Sequence, residues 1–197
     1  LALRPSGSKG LLVSSLAGFE DYQEHSAWVW EHQALTRARH CAGDRAIGER
    51  FEAIRVKILT RERDRAALAK EVLAMRERLH AAHPNRSGLF DLKHDRGGMI
   101  DIEFAVQALV LAHACRHPAL TGNLGNIALL GIAGELGLVG RDVAARCQAA
   151  YREFRRLQHG LRLQGAKYAR VPPARAQPHA DAVRELWQAV FPEAGAA

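Results

Sequence analysis

The chain has 197 residues, of which 48% are hydrophobic and 25% are charged. This balance is typical of a soluble globular protein and excludes a disordered chain. No apolar run approaches the roughly eighteen residues that span a membrane. The net charge of +7 favours partners that carry phosphate or acidic patches. Arginines and lysines are spread among acidic residues rather than collected on one recognition helix, so nucleic acid is not an expected partner.

The chain ends and the cysteines indicate the cellular context. Residues 1–5 do not have the pattern of a signal peptide. They also lack an initiator methionine, so we expect a piece of a longer protein. Cys41, Cys115 and Cys147 are widely spaced and form no C-x-x-C pair. We therefore predict neither a disulfide framework nor a zinc site, and a cytoplasmic location.

The first forty residues combine strand and helix signals. Residues 1–14 predict a strand end, a turn and a short strand. Ser15 is suited to cap a helix that runs through Tyr22. Residues 28–35 predict a second helix or a turn, and residues 37–39 follow as a segment that could return to the sheet.

From Asp44 onward, apolar residues recur every three or four positions, which predicts helices. We expect breaks after Pro84, at Pro118 and at Gly137, and a linker over residues 172–178. The pattern predicts a mainly α protein: a short α/β remnant followed by an antiparallel helical bundle. The predicted stripes are Ile47, Phe51, Ile54 and Ile58; Leu68, Val72, Met75 and Leu79; Phe104, Val106, Leu109 and Val110; Ile127, Leu130, Ala133 and Leu136; Val143, Cys147, Tyr151, Phe154, Leu157 and Leu161; Leu186, Trp187 and Val190.

The segment with the most candidate chemistry is residues 91–104. Gly97 and Gly98 directly precede a predicted helix, and Lys93 and Arg96 flank them. Free N–H groups and the helix dipole at such a position favour an anion such as phosphate. The alternative is a tight turn in which the acidic residues of the first helical turn offset the dipole. The residues alone leave both readings open.

Two patterns resemble metal sites without the ligand set that a metal needs. Asp101 and Glu103 diverge by about 200° around a helix, so they are poor candidates for binding one metal together. One of them could still hydrogen-bond a ribose, a metal-bound water or an arginine. His113 and His117 have the spacing of a metal pair but no third ligand, so we interpret them as surface or core histidines.

Two further segments carry basic or glycine residues that could bind phosphate. The turn at residues 6–10 lacks the spacing of a phosphate-binding loop, and we interpret it as a hairpin turn. Arg37 and Arg39 could meet phosphate or pair with Glu31.

Three strings carry a resemblance to a known family: residues 3–7 (LRPSG), 27–39 (AWVWEHQALTRAR) and 91–104 (DLKHDRGGMIDIEF). They resemble glutamine-synthetase adenylyltransferase, also called glutamate-ammonia-ligase adenylyltransferase. The strings occur in the order of that family, and the resemblance covers nearly the whole chain.

The resemblance implies a multifunctional enzyme with two related halves, each a nucleotidyltransferase domain followed by a helical domain. The second string and the third resemble the half that transfers AMP from ATP to a tyrosine of glutamine synthetase, with Mg²⁺. Residues 1–42 would be the end of its nucleotidyltransferase domain. Residues 43–197 would be the helical domain of the adenylyltransferase/uridylyltransferase-associated type. Glutamine synthetase, the PII signal protein and ATP are the implied partners, and no membrane is implied.

In that family the catalytic carboxylates lie upstream of the first string, so this chain is expected to hold no catalytic residue and no metal ligand. We expect the segment around Lys93 to support nucleotide binding, with the Gly97 and Gly98 amides beside a phosphate. The alternatives are a brace between the two domains and, for the chain as a whole, a non-catalytic module that docks glutamine synthetase or PII. The supporting candidates are Arg4, Ser6, Gly7, Arg37, Arg39, Lys93, Asp95, Gly97, Gly98, Asp101 and Glu103.

Overall fold

A computed structural model describes residues 13–192. It confirms the mainly α prediction, since helices predominate and the residues in that range form only two strands of two residues each. A 3-10 helix covers Pro118–Thr121. The helices are α1 Leu16–His25, α2 Val29–Leu35, α3 Arg45–Leu59, α4 Arg65–Ala82, α5 Met99–His113, α6 Asn126–Glu135, α7 Arg141–Leu163 and α8 Pro173–Val190; the strands are β1 Phe90–Asp91 and β2 Arg170–Val171.

The described residues form two compact units. The first unit contains residues 13–72 and 110–124, and the second contains 73–109 and 125–192. The domain boundary between residues 42 and 43 stays a prediction. No helix in the described part of the chain is long and apolar enough to cross a membrane.

In the first unit, α1 and α2 pack against α3. The predicted cap at Ser15 is confirmed, because its hydroxyl accepts the Gly18 N–H over 3.1 Å. Phe19, Ile54 and Ile58 are buried in this core. Ile47, which the stripe predicts to be buried, is 55% exposed, since it lies in the first turn of α3.

Two charged side chains are buried in the first unit and are fully partnered. The Glu31 carboxylate accepts the Tyr22 hydroxyl at 3.1 Å and the Trp28 N–H at 2.9 Å. Arg55 has no exposed side-chain surface; it pairs with Glu52 and donates to the Thr121 carbonyl oxygen. Burying a charge is tolerated only with such partners, so these contacts fix how the helices of this unit meet.

The expected return to a sheet at residues 37–39 is wrong. The Arg37 N–H donates to the Ala34 carbonyl at 3.2 Å, and the Ala38 N–H to the Leu35 carbonyl at 3.1 Å. These bonds extend the end of α2 as a turn, so the N–H groups are not available to a strand. The strands and turn predicted over residues 1–12 lie outside the described residues.

In the second unit, α7 packs against both α6 and α8. Leu130, Phe154 and Leu186 are fully buried there. Cys147 lies in the same core, and burial raises the pKa of its thiol to about 12. This thiol is therefore neutral at physiological pH and packs as a small apolar side chain.

The linker expected at residues 172–178 is wrong, because Pro173 is the first residue of α8. Proline is well suited to that position, since it needs no N–H there. Pro178 lies inside the helix and removes one backbone hydrogen bond. Burial of Ala176, Ala180 and Val183 on the same helix offsets that loss.

Candidate functional site

The 91–104 segment forms a compact turn in the second unit. Asp91 in β1 pairs with Arg170 in β2, and the strands are antiparallel. The Leu92 N–H extends the ladder by donating to the Ala169 carbonyl at 3.0 Å. The chain then turns through residues 92–98 and enters α5 at Met99. The short strand pair was not predicted, since two residues are too few to show a strand period.

Asp91 organises the start of this turn. Its Oδ1 accepts the N–H groups of Lys93 and His94, each at 3.0 Å. Its Oδ2 lies 3.3 Å from the Nε of Arg170. Burial alone would raise the pKa of Asp91, but the two N–H donors, the His94 ring and the Arg170 guanidinium outweigh it and hold the pKa below its ordinary value. The carboxylate is therefore ionised and committed to the turn.

Asp95 closes the turn onto the strand. Its Oδ2 accepts the Asp91 N–H and the Asn85 side-chain amide, both at 2.8 Å. Asp95, a candidate for nucleotide support, thus has a structural role in the geometry of the turn.

Asp101 joins the turn to α4 through a buried ion pair. Arg76 Nε donates to Asp101 Oδ1 at 2.5 Å, and Arg76 Nη2 donates to the His94 carbonyl at 2.9 Å. Asp101 Oδ2 accepts the Gly97 N–H at 2.6 Å. One arginine and one carboxylate therefore hold both ends of the turn, which supports the reading of Asp101 as a partner for an arginine.

The two glycines are required by backbone geometry. Gly97 has φ +89, and a Cβ there would lie 2.9 Å from the Ala180 carbonyl oxygen of α8. A Cβ on Gly98 would lie 2.9 Å from the Asp95 carbonyl oxygen. The Gly97 N–H is taken by Asp101, and the Gly98 N–H donates to Asp95 O at 2.9 Å. The expectation that the Gly97 and Gly98 amides lie beside a phosphate therefore needs correction, because both N–H groups already donate to acceptors within the protein.

Lys93 and His94 form the outer part of the turn. Lys93 is exposed, and no described residue pairs with its ammonium group. The His94 ring stacks on His83 with centroids 4.2 Å apart. Burial lowers the pKa of His94 although Asp91 opposes the shift, so this ring is neutral at physiological pH. Lys93 is thus the group of this turn that remains open to an anion.

Glu103 points away from Asp101, as the helical spacing predicts. The Tyr151 hydroxyl of α7 donates to Glu103 Oε1 at 3.0 Å. Burial, followed by the negative charge of Glu103, raises the pKa of Tyr151. No residues in the range 13–192 gather three or more His, Cys, Asp or Glu side chains in a metal-binding arrangement. The carboxylates of the turn are held by internal donors and do not fit a magnesium site.

The remaining candidates lie elsewhere. Arg37 and Arg39 are exposed and belong to the first unit. Arg4, Ser6 and Gly7 lie outside the described residues.

Arg76 and Arg170 carry much of the geometry of the turn, yet sequence reasoning missed both. Arg76 continues the predicted stripe at four residues beyond Val72, where an apolar residue would be expected. A charge on an apolar stripe is a signal of a buried ion pair, so it could have been found. Arg170 gives no such signal, because its strand is too short.

Comparison with known proteins agrees with the resemblance in the strings. Residues 1–54 match the family described as glutamate-ammonia ligase adenylyltransferase. Residues 66–186, more than half of the chain, match the family described as GlnD PII-uridylyltransferase. The second match shows that the chain belongs to the family described as GlnD PII-uridylyltransferase, and the first shows that residues 1–54 are similar to glutamate-ammonia ligase adenylyltransferases.

Curated relatives carry the name bifunctional glutamine synthetase adenylyltransferase/adenylyl-removing enzyme. The protein of Bordetella bronchiseptica is 57% identical over 191 residues, that of Aromatoleum aromaticum 58% over 191, and that of Burkholderia mallei 56% over 197. Each match covers 97% of this chain but only 20% or 21% of the relative. The chain thus spans about a fifth of the length of these relatives.

Proposed function

We propose that this chain is part of a bifunctional enzyme that transfers AMP from ATP to a tyrosine of glutamine synthetase. The observation that carries this proposal is identity of 57% over 97% of the chain with a relative that bears that name. The LRPSG, AWVWEHQALTRAR and DLKHDRGGMIDIEF strings support the adenylylating half in particular.

The contribution of this chain is support rather than bond-making. Its 197 residues contain no Asp-x-Asp pair of the kind that holds paired metal ions on a strand. Mg²⁺, where the parent enzyme uses it, would neutralise the phosphates of ATP during attack by the tyrosine oxygen. The turn at residues 92–98 would help to position the nucleotide or a partner protein. Lys93 is exposed on this turn, and the ion pair between Arg76 and Asp101 holds the turn in place.

Partner docking is the second candidate role. Trp28 is 65% exposed in the first unit, and large exposed aromatic side chains are favoured in protein interfaces. Glutamine synthetase is the partner that the relatives' name supports, and the match to a PII-uridylyltransferase family supports PII. The three free cysteines support a cytoplasmic setting.

The test of the supporting role is an assay of AMP transfer by the 197-residue chain alone. We expect no adenylyl-tyrosine on glutamine synthetase when the chain is incubated with ATP and Mg²⁺. Turnover by the isolated chain, proportional to its concentration and absent from a mock purification, would refute that role.

A further inference from the structure

The C-terminal half of α7 carries a row of basic residues on one exposed face. Arg152, Arg155, His159 and Arg162 occupy positions i, i+3, i+7 and i+10 of one continuous helix. At 3.6 residues per turn these four side chains fall within about 80° of one another around the helix axis. All four residues are exposed. Helical spacing therefore collects into one basic row residues that are mixed with other types along the sequence.

The charge of the basic row has no counter-charge among the described residues. Glu153, the carboxylate nearest in sequence, accepts two hydrogen bonds from Arg156, at 2.6 and 2.7 Å. None of the described carboxylates forms an ion pair with the three arginines of the row. Arg162 donates to the carbonyl oxygens of Ala166 and Lys167, which are neutral acceptors. The row thus presents three uncompensated positive charges to solvent.

The backbone beneath the basic row is held in place by the opposite side of α7. Phe154 and Leu157 are buried there, and α7 packs against both α6 and α8. The positions from which the side chains of the row project are therefore set before a partner arrives. Docking then has to order side chains but little backbone, which lowers its entropic cost.

The spacing of the basic row matches that of side chains on a second helix. Its members recur every three or four residues, about 5 Å along the axis, and the row is about 15 Å long. Carboxylates placed three and four residues apart on a partner helix recur at the same interval. Arginine binds a carboxylate through two parallel hydrogen bonds and is enriched in protein interfaces.

An apolar side chain at the end of the face favours a protein partner over a nucleic acid. Leu163 lies eleven residues after Arg152, which places it on the same side of α7, and it is 90% exposed. A protein segment can cover such a side chain with an apolar residue of its own, whereas a phosphate backbone cannot.

We propose that this face of α7 docks an acidic helix of a partner protein, whose carboxylates at every third or fourth position pair with Arg152, Arg155 and Arg162. The surface belongs to the second unit, whereas Trp28 belongs to the first. It also lies outside the three strings that carry the family resemblance. The proposal therefore goes beyond AMP transfer and does not depend on it.

The test is calorimetric titration of the 197-residue chain with two alanine-rich helical peptides of identical composition. The first carries its glutamates at i, i+3, i+7 and i+10, on one face, and the second has them spread around the helix. We expect the one-face peptide to bind several-fold more tightly, with an affinity that falls as salt rises. Equal affinities for the two peptides, or no binding of the one-face peptide, would overturn the proposal.

A pair of double variants tests whether the basic row is the docking surface. Arg152→Gln/Arg155→Gln should weaken binding of the one-face peptide about five- to tenfold, the combined effect of two exposed ion pairs. Lys70→Gln/Arg78→Gln is the matched control, because it removes two charges from exposed positions of α4. It should leave the affinity nearly unchanged. Equal weakening in both double variants would show attraction to net charge alone and refute the surface. Circular dichroism of each variant establishes that it is folded.

A short oligouridylate separates an acidic protein from a nucleic acid as the partner. Tighter binding of oligouridylate than of the one-face peptide at the same ionic strength, lost in Arg152→Gln/Arg155→Gln, would overturn the acidic helix in favour of a nucleic acid. None of these titrations measures AMP transfer. Failure of the docking surface and failure of the proposed function are therefore distinguishable.

Discussion

Arg76 of α4 and Asp101 of α5 form a buried ion pair, with 2.5 Å between Nε and Oδ1 and side-chain exposures of 0% and 4%. Asp101 also accepts the Gly97 N–H, and Arg76 also donates to the His94 carbonyl oxygen. The pair thus ties the turn to both α4 and α5. Lys93 projects from a part of the chain whose backbone is held at both ends.

Removing either partner of this pair should destabilise the second unit strongly. Arg76→Ala and Asp101→Asn each leave a buried group without its partner, and each should lower the free energy of unfolding by about 3 kcal/mol or more. The double variant should lose much less than the sum, because the two changes remove one interaction. Urea unfolding measures all three.

The matched control is Arg45→Ala, since the Arg45–Glu49 pair has side-chain exposures of 91% and 65%. We expect less than about 1 kcal/mol there. If the losses of unfolding free energy in Arg76→Ala and Asp101→Asn add up in the double variant, the two residues do not stabilise the fold through their mutual ion pair.

Gly97→Ala should destabilise the fold by about 1–3 kcal/mol, because the residue has φ +89 and the new methyl group would meet the Ala180 carbonyl oxygen. Gly88→Ala is the control: it has φ +71 but open space around the added carbon. Its loss should be smaller, since only backbone strain remains. Thermal unfolding of both variants gives the comparison, and equal losses would contradict the close approach to α8.

The stability of the first unit should fall as the pH falls below neutrality. Burial lowers the pKa of His32 from 6.5 to about 4, although its hydrogen bond to the Gln23 carbonyl opposes the shift. The unfolded chain therefore binds a proton first, so stability is lost as pH falls from about 6.5 towards 4. The total is on the order of 3 kcal/mol.

Urea unfolding between pH 4.5 and pH 7.5 measures this slope. His32→Gln should flatten it by removing the titrating group. His25→Gln, at an exposed position of α1, should keep the wild-type slope. An unchanged slope in His32→Gln would assign the pH dependence to other groups.

Several parts of this fold could be predicted from the sequence. The helical stripes work where a residue's neighbours along the chain decide its environment, as at Ile54 and Ile58 or Phe154 and Leu157. The stripe fails at Ile47, because that residue lies in the first turn of α3. The linker predicted over residues 172–178 fails because the buried face of α8 outweighs the proline inside it. The first string of the family lies outside the described residues.

The turn at residues 92–98 shows what the sequence could not predict about the candidate site. The Gly-Gly pair before a helix is visible in the sequence, but whether its N–H groups are free depends on where Asp101 and Asp95 place their oxygens. That information is three-dimensional. The ion pair of Asp91 with Arg170 likewise joins two positions that sequence spacing does not connect.

Lys93→Ala should raise the apparent KM for ATP about five- to tenfold with little change in kcat, the effect of removing one charged contact that is made equally in ground and transition states. The measurement requires the active enzyme, for which we suggest a chimera in which this chain replaces the matching fifth of the Bordetella bronchiseptica protein. Lys70→Ala is the control. A loss of stability with an unchanged KM would favour a brace between domains.

The same chimera tests the central claim most directly, by the incorporation of AMP from labelled ATP into glutamine synthetase. Our account predicts transfer within about tenfold of the parent enzyme, no transfer when the matching fifth is deleted, and none by the isolated 197-residue chain. A folded chimera that binds ATP but transfers no AMP would contradict the assignment of this chain to the adenylylating enzyme.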